Sequence, residues 1–172
     1  MAARETVFTV VKPFGPNSGP AWSNHQAWSG LDHLEEVVSL DSSLCPSVIH
    51  ELRPEDWSHN VQEDYRILLF RDLGHLKRRV PNWSEFNLLA VVEEPDTSDI
   101  VPSTQEFVFE GFEVLDVHCD ISALTNCGGF PDVFSPSDLN SHGLIGTIER
   151  AYEIKSELRR LHANEPYADC LV

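Results

Sequence analysis

Cys127 and His142 stand fifteen positions apart in the segment T-N-C-G-G-F-P-D-V-F-S-P-S-D-L-N-S-H-G-L, residues 125–144. These are residue types that thiol chemistry uses. A nucleophilic Cys needs a base for its proton, a carboxylate to orient that base, and N–H donors for an oxyanion. His142 would be the base, Asp132 its orienting acid with Asp138 as a substitute, and Asn126 with the Gly128 and Gly129 amides the donors. Two considerations weigh against an enzyme. Nucleophile and base usually meet through the fold rather than along one loop. The acids around the segment also raise a thiol pKa instead of lowering it. The preferred reading is structural: two glycines shape a turn, Phe130 and Pro131 pack it, and Cys127 fills a small core space.

Other chemistry is thinner. His118, Cys119, Asp120 and Cys127 approach a metal-ligand set, but the close paired spacing of a zinc site is absent. No phosphate loop, dinucleotide fingerprint or serine elbow occurs. No metal or cofactor is therefore expected. The four cysteines (Cys45, Cys119, Cys127 and Cys170) are scattered and read as free thiols of a reducing compartment.

Charge is the firmest signal. The 172 residues carry 12 Lys and Arg against 28 Asp and Glu, a formal −16. Residues 80–149 hold no Lys or Arg but thirteen acids, so that segment alone accounts for −13. Among them Glu93, Glu94, Asp96, Asp99, Glu110, Glu113, Asp116 and Asp120 are the candidate contact residues. A coherent negative field repels phosphate backbones and attracts basic proteins. Direct nucleic-acid binding is disfavoured, and a basic protein partner is expected. Trp22 and Trp28, in a polar stretch, are the candidate aromatic anchors of such a contact. Trp57 and Trp83 look structural.

The elements that position these residues follow from periodicity. Thr6–Val11 reads as a strand, residues 13–30 as a long loop by their Pro, Gly, Ser and Asn content, and residues 31–40 as a short helix entering a strand. Pro54 opens an apolar stripe at helical spacing that ends at Pro81. Residues 87–93 are nearly all apolar and read as a buried central strand. Residues 94–105 form an exposed acidic connection. Two strands follow over 107–117, broken at Gly111, with a short one over 121–125. Ser135, Pro136 and Asp138 have the form of a helix cap. A long helix over 144–162 and a terminal strand over 167–172 complete the chain.

The sum is one α+β domain over 1–172: a mostly antiparallel sheet of about five or six strands packed on two main helices. No apolar run is long enough to span a membrane, and the opening residues lack a secretory pattern, so the expected compartment is the cytoplasm. In charge and size alone, with no motif shared, the chain resembles nuclease-toxin immunity proteins. The preferred function is a small acidic binding or inhibitor protein that docks a basic partner. The alternatives are a cysteine-dependent hydrolase or transferase using Cys127 and His142, or a structural domain within a larger assembly. A homodimer through an edge strand is a further expectation.

Overall fold

The computed structural model describes residues 4–60, 68–99, 104–118, 120–126 and 128–172. Strand β1, Val7–Val11, forms from the β-branched and aromatic run V-F-T-V-V. Its partner is β2, Asn87–Val91, antiparallel in a register from Val7↔Val91 to Val11↔Asn87. Apolar clusters pack on both faces of β1. No residue of β2 is fully buried and Ala90 is exposed. The expected buried central strand is therefore an edge strand, its far edge left open because β1 is its single sheet partner among the described residues. Val7, Val11, Leu89 and Val91 join the larger cluster, while Phe8, Val10 and Leu88 join a smaller one around Phe70 and Leu76. Successive strand residues face opposite ways, so two covered faces demand apolar residues at both parities.

The expected sheet of five or six strands does not form. Among the described residues the only sheet has two strands, accompanied by three helices, a small α+β arrangement. The segments read as further strands meet their neighbours at isolated bridges: Phe112↔Ile145, Leu115↔Ser122 and Leu115↔Leu171. The physical reason lies in where their backbone donors go. Glu113 takes the Leu40 N–H, Asp41 takes the Ser122 N–H, and Asp116 takes those of Asp120 and Ile121. Side-chain carboxylates thus occupy amides that a ladder would otherwise use. At Gly111 (φ 147°) an added Cβ would lie 2.8 Å from the Ile145 carbonyl oxygen, so the chain approaches there too closely for any side chain.

The expected loop over 13–30 is also corrected, because it contains helix α1, Pro20–Ser29. Pro20 occupies the first helical position, and Gly30, in the left-handed region at φ 69°, closes the helix by donating its N–H to the Gln26 carbonyl. Trp22 and His25 are the helix's buried residues.

The helix expected from Pro54 to Val80 is broken, and part of it, residues 61–67, lies outside the described residues. Pro54–Asp56 makes a single 3₁₀ turn. Phe70 is extended and exchanges both backbone hydrogen bonds with Phe8 at 2.8 Å. Helix α2 therefore starts only at Leu73 and runs to Arg79, with Asp72 Oδ1 accepting the His75 N–H at 2.7 Å. Helix α3, Ile148–Leu161, is capped by Thr147 and buries Ile148, Ala151, Ile154 and Leu158 at helical spacing. Among the described residues no helix is long and apolar enough to cross a membrane.

Candidate functional site

Asp132 and His142, the proposed orienter and base, are each bonded elsewhere. His142 Nδ1 lies 2.6 Å from Glu110 Oε2, and Asp132 Oδ2 lies 2.9 Å from His162 Nε2. Cys127 falls outside the described residues, as does Cys119. Asn126, the proposed oxyanion donor, gives its Nδ2 hydrogens to Asp41 Oδ2 at 2.9 Å and Ser43 Oγ at 2.7 Å. Asp138 accepts the Ser135 N–H as the cap pattern requires, and bonds Arg150 at 3.1 Å. The Arg150 guanidinium holds the Asp138 carboxyl below its ordinary range. The two described thiols, Cys45 and Cys170, are buried, and burial pushes both pKa values up, that of Cys170 to about 11. Neither is poised as a nucleophile.

The nominated contact residues divide into two groups. Trp22 packs in the core at 5% exposure, edge-on to Phe14 and stacked with His25, whereas Trp28 is 56% exposed. Trp57, read as structural, is 70% exposed. Asp116 and Asp120 are buried, Asp116 Oδ1 accepting the Asp120 N–H at 2.7 Å. Asp96 caps a turn through Ser98. Glu93, Glu94, Asp99, Glu110 and Glu113 instead come together along one groove.

That groove encloses about 1150 Å³ and runs beside β2. One wall is β2 itself. The facing wall is the 104–112 segment, fixed at several points. Glu106 is ion-paired to Lys77 of α2, the Phe107 ring lies tilted against Phe8 at 5.9 Å, and Phe109 meets Phe112 edge-on at 5.3 Å. Asn140 Nδ2 holds the Glu110 carbonyl at 2.8 Å, and Phe112 bonds Ile145. On this wall Val108 is 69% and Phe109 43% exposed. Leu171 and Val172 close one end, where Glu94 exchanges bonds with Val172 and pairs with Lys155. Glu94 adopts φ 50°, a strained value for a side-chain-bearing residue, which the bonds to Val172 and Lys155 hold.

Electrostatically the lining of the groove is mostly acidic, with Lys77 and Lys155 paired to two of its acids, Glu106 and Glu94. Glu36, Glu93, Glu94, Asp99, Glu106 and Glu110 border it, and Arg4 is its only lining Lys or Arg among the described residues. Glu113 sits deeper. Its carboxylate accepts from Ser39 Oγ and, at 2.9 Å, from the Leu40 N–H. Burial nonetheless pushes its pKa up to about 7, with the charge of Asp41 adding to the rise.

The sequence reading reached the acids and missed the apolar surface they surround. Its available signal was F-V-F at 107–109, apolar at consecutive positions and so unable to point to one core face. Compared with protein families, curated proteins and solved structures, the chain matches none.

Proposed function

We infer that this protein is an acidic binding or inhibitor module that docks a basic protein partner. The observation that carries this reading is the groove beside β2, apolar on its walls and mostly acidic along its border, with Arg4 the one lining cation among the described residues. A desolvated apolar centre supplies affinity and a charged rim supplies orientation and association rate, which is the usual division of labour in a protein interface. An acidic rim favours Lys- and Arg-bearing partners and disfavours phosphate backbones. The described positions of His142 and Asp132, each bonded to another group, give the cysteine-enzyme alternative no supporting geometry.

The test is charge reversal at three exposed rim acids, Glu93→Lys, Glu106→Lys and Glu110→Lys together. At low salt the wild type is expected to retain a discrete basic partner that elutes as ionic strength rises. The triple variant, shown to be folded by circular dichroism, is expected to release it. Retention unchanged by the reversal would sink this reading.

A further inference from the structure

The open side of β2 specifies how the groove is filled. Phe8 gives both its backbone groups to Phe70, and the Val10 carbonyl accepts from Val48. Phe8 and Val10 therefore turn their backbone polar groups away from β2. Their register partners, Ala90 and Leu88, must point theirs away from β1, because in an antiparallel pair each residue directs N–H and C=O to the same side. Those groups of Leu88 and Ala90 face the groove, and neither finds a backbone partner among the described residues.

Natural edge strands are normally blunted by a charge, a proline or a bulge. Here N-L-L-A-V-V, residues 87–92, contains no charge and no proline, and β2 pairs with β1 in unbroken register. An unpaired, uncharged edge facing an apolar wall across about 1150 Å³ has the form of a slot for one more strand.

Resting on the reading of the groove as a docking site for a basic partner, we propose that the partner enters as an extended segment which adds a strand to β2, hydrogen-bonding Leu88 and Ala90, and that this segment alternates apolar residues with Lys or Arg. The alternation follows from the two environments. Alternate side chains of an added strand project to opposite sides, so one set can pack on the exposed Val108 and Phe109 while the long Lys or Arg side chains of the other reach Glu93 beside β2 and the Glu106 and Glu110 carboxylates that flank that apolar surface. A second copy of this chain is the poorer occupant. An antiparallel β2–β2 pair centred on Leu89 would turn Glu93 of each copy toward Glu85 of the other, and would bring two acidic rims together.

The probe is an eight-residue peptide of alternating Lys and Val with blocked ends, titrated against the full chain. It is expected to bind with strong salt dependence and to slow hydrogen exchange at the Leu88 and Ala90 amides. Two further peptides carry N-methyl groups on either all Val or all Lys nitrogens. An added strand presents one edge to β2, so one of the two should lose about tenfold or more in affinity and the other should retain it. Ala90→Pro removes an N–H that β1 does not use, at a position where an edge strand tolerates proline. It should leave thermal stability near wild type and weaken the Lys–Val peptide about tenfold.

Salt-dependent binding that protects amides elsewhere, or that survives both methylations, overturns strand addition and leaves the basic-partner reading standing. An alternating Glu–Val peptide that binds as well as the Lys–Val one, with protection at Leu88 and Ala90, overturns the basic occupant and keeps the slot. A dimer seen by light scattering and abolished by Ala90→Pro also overturns the basic occupant, by making the second copy the occupant. No binding by either peptide at millimolar concentration overturns the proposal entirely.

Discussion

Asp41 and Ser122, 81 positions apart, are joined by a hydrogen bond of 2.8 Å from the Ser122 N–H to Asp41 Oδ2. The same oxygen accepts from Asn126, while Oδ1 accepts the Ser43 and Leu44 amides and the Ser43 hydroxyl. The Asp41 carboxylate is fully buried and, together with the bonds from Ser42 to Asp120, ties the 39–45 and 120–126 turns together. Next to it Glu113 binds Leu40, so the deep end of the groove inherits its shape from this knot.

Asp41→Ala should therefore be among the most damaging single substitutions in the chain. It removes the acceptor of five donor contacts, of which the Ser122 N–H is fully buried while the Leu44 N–H keeps the Asp41 carbonyl, and each donor left unsatisfied out of water costs about 1–3 kcal/mol. Urea denaturation should show that fall in stability. Asp41→Asn, which keeps one acceptor oxygen, should lose less.

Glu113 predicts a pH dependence of definite sign. Its folded pKa of about 7 lies above the ordinary 4.5. Between those values the folded protein keeps a proton that the unfolded chain has released. The stabilisation from this group is therefore fully present below pH 4.5 and is lost as pH rises through 7, by roughly 3 kcal/mol at most. Glu113→Gln cannot ionise, so the difference in urea midpoint between variant and wild type should move in the variant's favour from about pH 5 to about pH 8. A difference that stays constant across that range would contradict the assignment.

How much of this was legible in the sequence depends on what each element answers to. Strand β1 and helix α3 follow local periodicity, and both form close to where periodicity puts them. Helix α1 was hidden by composition: Ser, Asn and Gln suggest a loop, although Pro20 and Gly30 mark a helix start and stop. The segments near 107–125 alternate like strands, but Asp41 claims the Ser122 amide from 81 positions away, which periodicity cannot report, and Asp116 claims the nearby Asp120 and Ile121 amides in a local turn. Strand β2 is apolar at both parities, with Leu88 packed partly against one core and Leu89 and Val91 partly against the other, which in sequence is indistinguishable from a central strand. Its open edge depends on Phe8 bonding Phe70, a tertiary fact. The acids of the groove were visible as a charge run; that Asp116 and Asp120 turn inward while Glu93 and Glu110 rim the groove was not.

The tryptophans give the last prediction, because two residues of one helix should behave oppositely. Trp22 and Trp28 both belong to α1, but Trp22 packs on Phe14 and His25 in the larger core, and Trp28 keeps more than half its surface in solvent. Trp22→Ala removes a buried indole and leaves a cavity, a change that costs about 3–5 kcal/mol. Trp28→Ala should stay within about 0.5 kcal/mol of wild type, as exposed substitutions usually do. Thermal melts of the two variants separate these outcomes. Acrylamide quenching gives an independent check: the fluorescence remaining in the Trp28→Ala variant should be less accessible to quencher than that remaining in Trp22→Ala. Equal stability of the two variants would mean that α1 does not bury Trp22 in solution.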